Sequence, residues 1–138
     1  MAYDLDRFVA AQERVYDDVL VELRQGRKTS HWMWFVFPQI AGLGHSETAR
    51  YYAVGSLAEA RAYLAHPVLG PRLRECANLL LAVGGRTAEE ILGPVDAMKL
   101  RSSMTLFLRA APEEAVYARV LDRFFGGVVD GATDALLG

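Results

Sequence analysis

The stretch HWMWFVFPQIAGLGHS, residues 31–46, holds both tryptophans of the chain and decides how the fold is read. Residues 31–37 break the helical period. Read as extended chain, Trp32, Trp34 and Val36 face one way, and His31, Met33, Phe35 and Phe37 face the other. Both faces are largely apolar, so the segment is expected to be buried on two sides as one or two short strands. Pro38 ends it by removing a ladder donor and restricting Phe37. Gly42 and Gly44 then supply a turn, and Ser46 stands where it would cap a helix reaching Ala53.

Outward from this stretch the pattern is helical. Upstream, Leu5, Phe8, Val9, Gln12, Val15, Tyr16, Val19, Leu20 and Leu23 recur at threes and fours from an Asp4 cap to a stop at Gly26. Gln12 lies on that apolar stripe, where a buried amide needs hydrogen-bond partners. Downstream, Ser56 with Glu59 and Thr87 with Glu90 have capping-box spacing. Pro67 and Pro71 bracket a turn before a helix to Val83. Pro94 starts a helix to Ala110, Pro112 opens an amphipathic one that Gly126-Gly127 closes, and the tail from Asp130 adds a last turn. The expectation is a mainly α protein: a compact single-domain orthogonal helical bundle over residues 1–138. About six to seven helices are expected, with one or two short strands near residues 31–37.

The totals exclude several classes. Of 138 residues, 52% are hydrophobic and 23% charged, a globular rather than a disordered profile. The formal net charge of −2, with acids and bases interspersed, offers no footprint for polymeric nucleic acid or a membrane surface. Cys76 is the only cysteine, and the N-terminal MAYDLDRF is acidic and polar rather than signal-like, so a cytoplasmic location is expected. Monomer and homodimer stay open. No Walker loop, dinucleotide fingerprint, HExxH or nucleophile elbow occurs. His31, His45 and His66 are too far apart to form a recognised ligand set, so neither metal nor cofactor is expected. Cys76, in RECANLLLAV, reads as a small core residue.

Three stretches carry more polar chemistry than their surroundings need. In the first, Lys28, His31, Trp32, Trp34 and Gln39 offer aromatic surface and a polar edge for a flat ligand. A packed core strand accounts for the same residues. In the second, GLGHSETARYY, the glycines Gly42 and Gly44 precede a Ser46 cap, with Glu47 and Arg50 in the first turn, an arrangement that suits an anion. The same turn also arises for structural reasons alone. In the third, PVDAMKLRSSMTLF, a helix would line Asp96, Lys99, Ser103 and Phe107 along one side, where Asp96 and Lys99 also read as a plain surface ion pair.

HWMWFVFPQIAGLGHS, YLAHPVLGPRL, DAMKLRSSMTLF and the terminal FFGGVVDGATDALL together closely resemble the domain-of-unknown-function 1810 family, from Arg7 to Leu137. Some members carry the label "calpastatin", yet nothing here resembles a disordered protease-inhibitor repeat. The resemblance brings no established activity. More distantly, the helical order and KLRSSMTLFLRAAPEEAVYARVLDRFF are similar to the NADAR (YbiA-like) proteins, associated with ADP-ribose-like nucleotides and N-glycosidic bond cleavage. That similarity implies a tryptophan and a glutamate near the first helices. Trp32 or Trp34 and Glu47 would fill those places at a departing spacing, with Asp96 or Asp130 as the alternative acid.

The functional expectation is accordingly an N-glycosidic bond hydrolase acting on a nucleotide or ADP-ribose-like small molecule. Trp34 would be the aromatic shelf, Glu47 or Asp96 the carboxylate, and Lys28, Arg50, Lys99 or Arg101 the phosphate contacts. A non-catalytic nucleotide- or metabolite-binding module is the alternative, and a structural or protein-interaction domain the second.

Overall fold

The structure, a computed structural model, describes residues 3–138; Met1 and Ala2, the start of the polar N-terminal stretch, lie outside the described residues. Among the described residues ten helices follow one another: α1 (Asp6–Glu13), α2 (Tyr16–Gln25), α3 (Met33–Val36), α4 (Glu47–Tyr51), α5 (Leu57–Ala65), α6 (Leu69–Ala82), α7 (Ala88–Leu92), α8 (Pro94–Ala110), α9 (Ala115–Phe125) and α10 (Gly131–Leu137). The mainly helical class holds. The helix count exceeds the expectation because short turns, too brief for a periodic signal, are helices in their own right.

The expected strands near residues 31–37 are absent, and α3 stands in their place. One helical turn buries Met33, Phe35 and Val36 on different sides of the core and leaves Trp34 half-buried. Two-sided burial therefore reflects a short helix surrounded by others, not a strand. The extended pairing lies just beyond, where Ile40 forms an isolated parallel bridge with Val54. Its bonds are Ala41 N to Val54 O (2.8 Å) and Val54 N to Gln39 O (2.9 Å).

The expected first helix is two, parted at Arg14–Val15 and starting from Leu5 rather than Asp4. The break serves two neighbours, since α1 packs on α3 while α2 packs on α6. Gln12, at the end of α1, resolves its own puzzle: Nε2 donates to Phe35 O (2.7 Å) and Tyr63 Oη (3.2 Å), and Oε1 accepts from Arg72 (3.4 Å). The caps fall as the sequence implies. Ser46, Ser56 and Thr87 accept from Ala49, Glu59 and Glu90, but only Thr87–Glu90 completes the box. The Glu59 carboxylate turns instead to Gly55 N (2.8 Å) and Arg7 (3.1 Å).

Helix α8 is the spine, packed on α5, α7, α9 and α10. Leu100, Met104 and Phe107 face the core, where Phe8, Tyr63, Phe107 and Tyr117 form a chain of rings with centroids 5.2, 5.3 and 6.0 Å apart. Cys76 is buried, and burial pushes its thiol up to about 12, which fits a core residue rather than a nucleophile.

Candidate functional site

The site begins with Glu22, a buried carboxylate on α2. Oε1 accepts from Thr29 N (2.7 Å), Ser30 N (3.0 Å) and Trp32 Nε1 (3.0 Å), and Oε2 from Ser30 Oγ (2.5 Å). Burial alone would raise its pKa, but these bonds, led by that from Ser30, outweigh it and hold the group below the ordinary carboxylate range. Glu22 thereby fixes the loop after α2, and Lys28 N adds a bond to Ile91 O (2.7 Å).

That loop carries Lys28 across to the first turn of α8. Lys28 Nζ lies 2.8 Å from Asp96 Oδ2 and 5.1 Å from the centroid of the Trp32 ring. Asp96 Oδ1 lies 3.7 Å from Lys99 Nζ, which stands 4.6 Å over the ring of Trp34. Two ammonium groups, each seated on a tryptophan face, thus share one carboxylate. Five of the sequence candidates meet here: Lys28, Trp32, Trp34, Asp96 and Lys99. The tryptophans are seats for the lysines, not the open shelf the sequence suggests, and Trp32 is wholly buried.

Lys99 also borders a groove of about 310 Å³ between the 39–44 segment, α8 and the start of α10. Leu43, Val95, Met98 and Ala132 give it apolar walls, while Gln39, Lys99, Ser102 and Asp130 supply polar groups. Val95 and Met98 are 66% and 73% exposed, unusual for large apolar side chains. Asp130 Oδ2 accepts from Ser102 Oγ (3.0 Å), Thr133 N (3.2 Å) and Thr133 Oγ1 (2.6 Å). Among the described residues its Oδ1 accepts no protein hydrogen bond. A larger cleft of about 510 Å³ lies beside Arg61 and Arg74. It is the weaker candidate, because Arg74 is bonded twice to Glu114 (2.6 and 3.1 Å) and Arg61 spends its Nε on Ala110 O (3.3 Å).

Of the remaining candidates Gly44 lines the groove beside Leu43, and the others fall elsewhere. Glu47 is exposed and borders a separate hollow with Thr48, Tyr51 and Tyr52. His31 and Arg50 are exposed surface residues, and Ser46 caps the five-residue α4. Gly42 and Gly44 answer packing needs: Gly42, at φ 105°, lies against Leu136, and a Cβ on Gly44 would sit 2.5 Å from that of Ala49. Arg101 clamps Val128 O (2.9 Å) and Val129 O (2.7 Å), so it is a brace for the α9–α10 connection and not a phosphate contact. Thr105 completes that brace, donating to Arg101 O (2.8 Å) and accepting from Asp130 N (2.9 Å). Ser103 is fully buried, its hydroxyl without a hydrogen-bond partner among the described residues, while its neighbour Ser102 reaches the groove.

Sequence reasoning left out the groove walls. Their signal was present: on α8 the core stripe is Ala97, Leu100, Met104 and Phe107, and Val95 and Met98 fall off it as an apolar pair. No group of three His, Cys, Asp or Glu placed to hold a metal occurs among the described residues. Nor is any helix there long and apolar enough to cross a membrane.

A family model described as "Protein of unknown function (DUF1810)" matches residues 2–137. Among solved structures, the chain is similar to the conserved hypothetical protein Rv1873 from Mycobacterium tuberculosis. The identity is 55%, the TM-score 0.97, and the match covers 98% of this chain and 96% of that one. No curated protein matches. The likeness to NADAR proteins gains no support from these matches.

Proposed function

This chain belongs to the DUF1810 family of proteins of unknown function, and on that footing we propose that it binds a small nucleotide-like molecule in the groove beside Lys99. The observation that carries the reading is the pairing of a tryptophan-seated ammonium with an open apolar wall formed by Val95 and Met98. An anionic end would meet Lys99, a flat body would lie on Leu43, Val95 and Met98, and Gln39 would take a polar edge. Two lysines share Asp96, which leaves Lys99 charge to offer an anion even though Asp130 also lines the groove.

One further observation favours N-glycosidic hydrolysis in the same groove. Asp130 lines the groove and is held by three donors on Oδ2, while its Oδ1 accepts no hydrogen bond among the described residues. A carboxylate so fixed could take the proton of a water adding to the sugar carbon while the electron pair of the broken bond leaves on the base nitrogen. Asp96 suits that role poorly, because two ammonium groups already neutralise it, and Glu47 lies outside the groove.

Calorimetry with adenosine monophosphate, ADP-ribose and NAD, alongside chromatography for released base, tests both readings. Binding that Leu43→Trp abolishes by filling the groove is expected. Absence of binding by every member at millimolar concentration would overturn the assignment. Asp130→Asn separates the two readings. Hydrolysis predicts turnover lost with binding kept, and no turnover by the unaltered protein leaves binding alone.

A further inference from the structure

The two lysines hold Asp96 differently. Lys28 Nζ stands 2.8 Å from Oδ2 in a close ion pair, whereas Lys99 Nζ stands 3.7 Å from Oδ1 in a looser one. The Lys28 side chain is 7% exposed, so Asp96 is the partner its ammonium has at that depth. Lys99 borders the groove, where water or a ligand can replace the carboxylate. Lys28 therefore needs Asp96, and Lys99 does not.

We propose that Lys99 is the anion-binding group of the groove, that Asp96 is its resident counter-anion, and that the ligand bears a single anionic group on an apolar body. This rests on the groove being the ligand site. On binding, the ligand's phosphate monoester or carboxylate draws the Lys99 ammonium off Asp96 Oδ1, while Lys28 keeps Oδ2. The restriction to one anionic group follows from the surroundings. Asp96 pairs with the ammonium and Asp130 lines the same groove, so a second phosphate would meet a carboxylate instead of a cation. The apolar walls suit a body with no further charge. The groove would accordingly prefer a monophosphate or an aryl carboxylate to a diphosphate.

The experiment pairs calorimetry with nuclear magnetic resonance of the lysine side-chain carbons, using adenosine monophosphate, benzoate, ADP-ribose and inorganic phosphate as probes. Adenosine monophosphate or benzoate is expected to shift the Lys99 signal and leave that of Lys28 in place, and whichever binds more tightly identifies the anionic group. Lys99→Gln should weaken that probe at least about tenfold, and Asp96→Asn should tighten it roughly threefold to tenfold by removing the competitor. If Asp96→Asn does not fold because Lys28 is left buried and unpaired, the Lys28→Met/Asp96→Asn double variant is measured in its place. Unchanged or weaker binding in the folded variant, or tighter binding of ADP-ribose than of the monophosphate, overturns the proposal. Binding that survives Leu43→Trp overturns the groove reading instead. If no organic probe binds, inorganic phosphate still decides the role of Lys99: a Lys99 shift that Asp96→Asn enhances upholds it, and no shift refutes it.

Discussion

Trp32 and Trp34 stand two residues apart and carry the same pairing, a lysine ammonium over an indole, yet their surroundings have opposite characters. Around Trp32 every group is spoken for. The ring is wholly buried, its N–H is bonded to Glu22, and Glu22 takes three more bonds from the loop it closes. Around Trp34 the ring is half-buried, and Lys99 has only a loose hold on Asp96 beside an open groove. One helical turn explains the difference, since Trp32 stands at the N-cap of α3 facing the core and Trp34, two residues on, is the one α3 side chain left half-buried. The closed side is built to fix the chain, and the open side to leave a charge available.

The largest effect should come from the closed side. Trp32→Ala removes a fully buried ring and one of the four donors to Glu22, which should cost about 3–5 kcal/mol in denaturant unfolding. Glu22→Gln comes next, at about 1–3 kcal/mol, because an amide replaces an acceptor-only group that serves four donors. Its signature is pH dependence. The folded pKa of Glu22 lies below that of the unfolded chain, about 4.3. The wild-type advantage over Glu22→Gln is therefore complete above that range and shrinks as pH falls through the folded value. Denaturation midpoints measured from neutral to strongly acid pH check the sign; an advantage that grew on acidification would break the contrast.

Trp34→Ala sharpens the comparison from the other side. A half-buried ring should cost about 1–2 kcal/mol, less than Trp32, yet it removes the seat of Lys99. Binding of adenosine monophosphate should weaken several-fold at a temperature where the variant is fully folded. Equal stability losses at the two tryptophans would erase the distinction between closed and open sides.

The sequence carried the helices and their punctuation well, because caps and stops are local: Ser46, Ser56, Thr87, Pro94 and Gly126 act within a turn of themselves. It misled over residues 31–37 because a short segment buried on two sides has the same apolar pattern in a strand and in a single helical turn. Half of the site was legible for a related reason. Asp96 and Lys99 are three residues apart on one helix, so spacing alone joins them. Lys28 reaches Asp96 only because Glu22 closes the loop from α2, a contact that no periodicity encodes. The polar run after Lys99 hinted at a site, but Arg101, Ser102 and Thr105 brace the segment leading to Asp130. In sequence a brace and a binding strip are written with the same residues.

The smallest effect should fall on Glu47, and its smallness is informative. The NADAR resemblance expected from the sequence, which the matches do not support, implies a catalytic acid at Glu47, with Asp96 or Asp130 as the alternative. The geometry gives Glu47 an exposed position in a hollow apart from Lys99 and Asp130. Glu47→Gln should change stability by no more than about 0.5 kcal/mol and leave adenosine monophosphate affinity unaltered. Any turnover found in the unaltered protein should survive in this variant and disappear in Asp130→Asn. Loss of turnover in Glu47→Gln with binding intact would move the chemistry to the surface beside Tyr51 and Tyr52. The groove would then be a binding surface whose acid takes no part, and the open side of the tryptophan pair would lose its claim to the reaction.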